Sequence, residues 1–322
     1  MEYNVETPIV RKSINIMGDG RAVTMDKAFK AFVGFFAVAT VSIVVLLGIR
    51  LYLSSRIALF DMGFWNFIKS STWDPVSGVF GALPFIYGTA ITSVLSLLIA
   101  TPLGVGTAIF LADLSPRWLS QILQPLMELL AGVPSVIYGL WGIFVLSPLM
   151  ANYVEPFLMA RFGFLPLFRG YPLGIGLITA SIILSIMIVP FIISVSTEVL
   201  RTVPTSLKEG MYALGATRWE VMKKISLPFA RSGIFGSIIL ALARALGETM
   251  AVTMVIGNTP QISLSLLDPG YTMAAVIANE FTEATYDKYL SALIAVGFIL
   301  FLITLLVNAV ARWLIWRTGK SQ

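Results

Sequence analysis

Six long apolar runs set the limits on what this chain can fold into. They cover residues 31–53, 84–111, 119–149, 173–199, 234–256 and 290–316. Each is near or above the roughly 20 residues that carry a helix across a bilayer. In lipid, backbone N–H and C=O groups must bond within the protein, so such runs become helices. The expected fold class is therefore all-α: a polytopic membrane protein with six transmembrane helices. With 57% hydrophobic and only 12% charged residues, against roughly 25% charged in soluble domains, an ordinary soluble domain is excluded. The first run is longer than a secretory signal core and lacks a small-residue cleavage site, so it reads as a retained helix. Pro102 and Pro190 mark kinks in the second and fourth runs. The third is too long for one straight helix, and Gly132-Val133-Pro134 is where it breaks.

Six spans place both termini on one side. That side holds fifteen of the 22 Lys and Arg residues, the opposite side holds six, and Arg244 lies within a span. The positive-inside rule then puts both termini and the loop at 204–228 in the cytoplasm. Residues 1–30 read as a polar cytoplasmic tail, with or without a short interfacial helix, and 31–322 as the membrane domain. Outer loops carry Trp65, Trp73, Phe157, Phe162, Phe164 and Phe168, most of them expected as interfacial anchors. The acidic loop 258–288, with Asp268, Glu280, Glu283 and Asp287, either meets an external partner or is simply solvated.

The composition also removes chemistry. There is no cysteine and no histidine, so disulfides, thiolate chemistry and the commonest general base and metal ligand are absent. No Asp/Glu cluster replaces them, and no catalytic, cofactor-binding or metal-binding residue is assigned. Gly319-Lys320-Ser321 resembles the end of a phosphate-binding loop, but the earlier glycine would fall on Leu314 and no strand precedes it. This chain is therefore not expected to bind ATP through that motif.

Two features carry the functional expectation. The loop at 204–228 holds two S/T-x-x-E patterns, Ser206 with Glu209 and Thr217 with Glu220, each readable as a helix-starting capping box. Gly215 lies between them, where a helix end favours a left-handed residue. Two short helices are predicted, 207–214 and 218–226, with Pro228 stopping the second. Within the spans, the clearly internal charges are Glu128, Arg244 and Glu248. Charge there costs at least about 2.5–3.5 kcal/mol near a helix centre, so such residues face a cavity or a partner. Arg244 and Glu248 are spaced to share one helix face and pair. They form either a packing bridge or an anion path, since a guanidinium fork matches phosphate-like oxygens. Glu128 either pairs with Arg244 or sits near the cytosolic mouth.

The loop resembles the coupling loop of type I ABC importer permeases: E-A-A, three residues, G, nine residues, I, one residue, L-P. The matching positions are Glu209, Gly215, Ile225, Leu227 and Pro228; Gly210 and Met211 replace the two alanines. The runs Arg244–Val252, Glu128–Gly139 and Ala278–Phe281 resemble the permeases of phosphate-specific importers, on the PstC-like branch. The likeness extends from about residue 80 to the C-terminus. It implies an inner-membrane permease subunit moving inorganic phosphate by alternating access. Its implied partners are a second homologous permease, two ATPase subunits docking on the loop, and an extracytoplasmic phosphate-binding protein. Arg244 and Glu248 would then lie on the phosphate path. Sulfate or molybdate as cargo remains open. An ion-driven transporter fits the loop spacing poorly, and an intramembrane enzyme lacks its catalytic residues.

Overall fold

The computed structural model describes residues 20–319. The predicted tail up to residue 19 and the Lys320–Gln322 end lie outside the described residues. Six helical runs among the described residues are long and apolar enough to cross a membrane: Thr24–Met62, Leu83–Leu114, Ser135–Phe162, Leu177–Arg201, Arg218–Leu246 and Asp287–Arg317.

In chain order the helices are α1 (Gly20–Met62), α2 (Phe64–Lys69), α3 (Leu83–Ile109), α4 (Arg117–Ala131), α5 (Ser135–Trp141), α6 (Ser147–Leu149) and α7 (Glu155–Phe162). They continue as α8 (Leu177–Arg201), α9 (Thr205–Ala213), α10 (Arg218–Val221), α11 (Leu227–Leu246), α12 (Met250–Val255), α13 (Met273–Glu280) and α14 (Asp287–Gly319). One isolated antiparallel bridge, Asp74 with Val79, is the β-type pairing seen among the described residues. The chain divides into two compact units, one ending at Arg50 and one beginning at Leu51. In the first, α1 takes in residues 20–30, which the sequence suggests are tail, and exposes Phe29, Phe32, Phe35 and Val38.

In the second unit α8 is the most buried of the six runs. Its Ile183, Leu184, Met187, Ile188 and Ile192 are fully enclosed. Gly104 of α3 lets Ile192 approach so closely that a Cβ there would come within 2.7 Å of it, the small-residue contact that membrane helices use to pack. Thr89 and Thr92 turn their hydroxyls back onto the carbonyls of Phe85 and Gly88, at 2.8 Å each, so buried polarity stays satisfied. Helices α3 and α8 run through Pro102 and Pro190 without ending.

Two expectations about helix ends are corrected. Pro228 does not stop the loop's second helix. A π turn at Met222–Ser226 carries α10 into α11 as one run, with the Leu227 N–H donating to the Met222 carbonyl five residues back. Similar π turns precede Pro148 and Pro156. Shifting the ladder to i→i+5 accommodates a residue that has no N–H to donate. The third and fifth spans also move along the chain. Residues 117–131 form the separate amphipathic α4, and the crossing run starts after the Gly132–Pro134 break. The fifth run ends at Leu246 rather than continuing to residue 256.

Trp73 is a further correction. It is not an interfacial anchor but is buried against Phe80, Phe85 and Tyr289. Its Nε1 donates to Glu280 Oε2 at 2.8 Å, and the Tyr289 hydroxyl donates to the same oxygen at 2.7 Å. Glu280 thus fastens the segment before α3 to α13 and α14 and is not a solvated charge. Trp65, Phe157, Phe162 and Phe164 are exposed as expected.

Candidate functional site

The loop after α8 forms two helices meeting at a left-handed glycine. Gly215 has φ 83°. Its N–H donates to the Tyr212 carbonyl at 2.9 Å, and the Ala216 N–H donates to the Met211 carbonyl at 3.1 Å. This crossed pair closes the last turn of α9. At the next helix start the Thr217 hydroxyl accepts from the Glu220 N–H, and the Glu220 carboxylate accepts from the Thr217 N–H at 2.9 Å, a complete capping box. The Ser206–Glu209 box is not formed. The N-cap of α9 is Pro204 and no side chain caps it. Helix entry two residues earlier puts Ser206 inside the first turn, where its hydroxyl no longer faces the free N–H groups.

Loop residues divide into two faces. Ile225 and Leu227 turn inward and pack with Ala108, Leu200, Val203, Ala230 and Ile234, so they anchor the loop to the spans. No residue of α9 is buried. Leu207, Tyr212, Leu214 and Trp219 are exposed, with Leu214 84% accessible. Ser206, Glu209, Gly210 and Pro228 are exposed as well. Exposed apolar side chains thus fall close together in sequence on a short polar loop. The family motif does not point to Leu214 or Trp219. The signal available for them was their bulk and apolarity inside a loop expected in water.

The second site lies where two helices break. Arg244 is in the last turn of α11, Gly247 ends that helix, and Glu248 stands in the gap before α12. The pair therefore does not share a helix face, and no ion pair joins them among the described residues. Each charge instead meets a helix end of opposite polarity. Arg244 Nη1 donates to the Ala131 carbonyl at 3.1 Å, at the end of α4. Tyr138 donates to the Leu130 carbonyl beside it at 2.9 Å. Glu248 Oε1 accepts from the Ala251 N–H at 3.2 Å, at the start of α12. Helix C-termini carry free carbonyls and partial negative charge, N-termini free N–H groups and positive charge. Those ends compete successfully for the two side chains.

Glu128 is exposed on α4 and accepts a long bond from Gln124 at 3.4 Å; it does not pair with Arg244. Both Arg244 and Glu248 are half-buried. The two breaks, 132–134 and 247–249, thus lie side by side. Helices α5 and α12 press together beyond them, where a Cβ on Gly139 would come within 2.5 Å of Met254 Sδ. Among the described residues no group of three or more His, Cys, Asp or Glu could hold a metal.

A further carboxylate within a span, Glu155, escapes a sequence reading. Glu155 falls in the expected outer loop, but the third run's shift encloses it completely, with Oε2 accepting from the Gly174 N–H at 2.9 Å. No local signal marks it.

Residues 100–320 match the family described as "Binding-protein-dependent transport system inner membrane component". The chain belongs to that family. It is PstC-like: it is 51% identical over 286 residues to the phosphate transport system permease protein PstC of Mesorhizobium japonicum, covering 87% of each chain. It is 45% identical over 298 residues to the PstC of Pasteurella multocida, covering 91% of this chain and 92% of that one. Among solved structures it superposes on a chain of a bacterial ABC transporter involved in alginate import, with TM-score 0.58 and 18% identity, over 90% of this chain and 98% of that one. A chain of the inward-facing MetNI methionine transporter matches with TM-score 0.54 and 16% identity, over 77% and 99%. These distant likenesses establish the fold, that of a type I ABC importer permease. As a multi-pass inner-membrane family member, the chain is a transporter component rather than an enzyme.

Proposed function

We propose that this chain is the permease subunit of an ATP-driven importer that moves inorganic phosphate inward by alternating access. The observation that carries this is the 51% identity to a PstC phosphate permease over 87% of both chains. Both termini and the Pro204–Pro228 loop lie in the cytoplasm, as the Lys/Arg distribution supports. Residues 31–322 act as the permease domain. An ATPase subunit docks on the exposed face of α9 and α10, formed by Glu209, Leu214 and Trp219, with Gly215 and the Thr217–Glu220 box fixing the angle between the helices. Ile225 and Leu227 carry the motion into the spans, and Pro228 with its π turn keeps that helix continuous. Two ATPases, a second homologous permease and an external phosphate-binding protein complete the complex; ATP and magnesium belong to the ATPases.

Arg244 and Glu248 line the phosphate path at the paired breaks, with Glu128 at its edge. Broken helices in transporters commonly line the substrate site, because their free backbone groups face a cavity and not lipid. Arg244 now spends one arm of its guanidinium on the Ala131 carbonyl. A passing phosphate, with charged acceptors, would displace that neutral partner. The test is to purify the complex, identify the co-purifying subunits, and measure which anion, delivered by the binding protein, raises ATP hydrolysis. Stimulation by phosphate alone supports the proposal. Stimulation by sulfate or molybdate instead would reassign the cargo, and no co-purifying ATPase would remove the mechanism. Reporters inserted near Lys208 and Asp268 test the orientation; cytoplasm for the first and outside for the second are expected.

A further inference from the structure

Helix α9 has no buried residue, yet its Lys208 is well enclosed. Lys208 Nζ lies 2.5 Å from Asp113 Oδ1, and the two side chains are only 18% and 13% exposed. A fully solvated pair is worth little. One this dry must stay closed, because opening it would strand both charges in poor solvent. Asp113 sits in the π turn Phe110–Leu114 that ends α3. The same turn is tied to α4: Ser120 donates to the Leu111 carbonyl at 3.0 Å. Arg201, at the end of α8, donates through Nη2 to Ser120 Oγ at 2.7 Å. Four elements are therefore locked at one end of α4: α8, α9, the π turn and α4 itself.

The opposite end of α4 is Ala131, whose carbonyl holds Arg244. Fifteen helical residues join the two ends, roughly 22 Å at 1.5 Å per residue. Pro125 lies within α4 without ending it, so the helix is continuous between the two ends and can carry a displacement from one to the other. Resting on the loop as ATPase dock and on Arg244 as phosphate contact, we propose that Lys208–Asp113 is a latch that fastens α9 to α4. Through α4, displacement of the loop resets the Ala131 carbonyl and with it the free arms of Arg244. Lys208 and Asp113 are positioning residues: neither touches phosphate or ATP, and their task is to couple hydrolysis to release of the anion.

The experiment uses the whole complex in proteoliposomes with the phosphate-binding protein and reads phosphate imported per ATP hydrolysed. Lys208→Asp and Asp113→Lys, each alone, should keep the ATPase subunits bound and hydrolysing, while import per ATP falls by about 3- to 30-fold, the range of a lost coupling contact. The charge swap, Lys208→Asp with Asp113→Lys, should restore most of the ratio. If a single reversal fails to fold, Lys208→Met with Asp113→Asn removes the pair with no charge left over and should show the same loss. A normal ratio in that neutral double, or a swap no better than the single reversals, would overturn the latch. Loss of the ATPase from Lys208→Asp that persists in the swap would make Lys208 a docking residue and overturn it too. These failures differ from failure of the underlying proposal, in which the wild-type complex itself would show no ATP-driven phosphate import.

Discussion

The loop between α8 and α11 and the break between α11 and α12 stand at the two ends of one helical run, and they handle exposed polarity in opposite ways. In the loop, backbone needs are met locally, by the crossed bonds at Gly215 and the box at Thr217–Glu220. That leaves apolar side chains such as Leu214 and Trp219 facing outward. At the break, backbone groups of α4 and α12 are left for side chains to satisfy, and Arg244 and Glu248 do so. The loop is a finished shape with a sticky surface, suited to a protein partner. The break is an unfinished set of donors and acceptors, suited to a small polar one. A coupled transporter needs both, joined by rigid helices.

The sharpest way to break that contrast is at Arg244. Arg244→Gln should lower phosphate uptake by roughly 10- to 100-fold, the scale of one lost charged contact, while the complex assembles. Arg244→Lys keeps charge but not the fork and should lose less. Because Glu248 is held by Ala251 and not by Arg244, adding Glu248→Gln should restore nothing. Recovery of uptake in that double variant, at equal protein level, would return the two residues to a packing bridge.

A smaller effect is expected in the loop. Gly215→Val forces a branched residue to φ 83°, a strain of about 1–2 kcal/mol. No neighbour lies within 4 Å of a Cβ there, so the strain acts on backbone angle and not through a clash. ATPase recovery on purification should fall several-fold with the spans intact; unchanged recovery and uptake would make the loop an inert surface.

Smaller still, Gly210 lies in α9 with open space around it. Gly210→Ala should stiffen α9 by about 0.5–1 kcal/mol, read as slower proteolysis of the loop with uptake preserved. Faster proteolysis would show that α9 is not helical in the assembled protein. At the bottom of the scale, exposed Glu128 predicts that Glu128→Gln changes uptake by less than about twofold, within the spread for surface sites.

What was legible follows from how local each signal is. The number of apolar runs, Gly215 and the Thr217–Glu220 box are set by neighbouring residues, and the structure agrees with them, while the bounds of the third and fifth runs shift. Pro228 misled because a π turn offers proline an exit that a strict α-helix lacks. The Arg244–Glu248 pair misled because spacing implies a shared face only if the helix continues, and Gly247 ends it. The partners that hold both sites together, Ala131 for Arg244 and Asp113 for Lys208, are far away in sequence and carry no pattern of their own. Glu155 is the same case: only the position of the break at 132–134, in the third apolar run, puts it inside.

We propose that ATP hydrolysis beside the loop drives phosphate past Arg244. That proposal is tested most directly by radiolabelled uptake into proteoliposomes holding the purified complex, with ATP at the loop side and each anion offered with its binding protein outside. ATP-dependent accumulation of phosphate is expected, with none of sulfate, and accumulation should be lost with Arg244→Gln while hydrolysis continues. Accumulation of phosphate without ATP, or at the wild-type rate in Arg244→Gln, would contradict it.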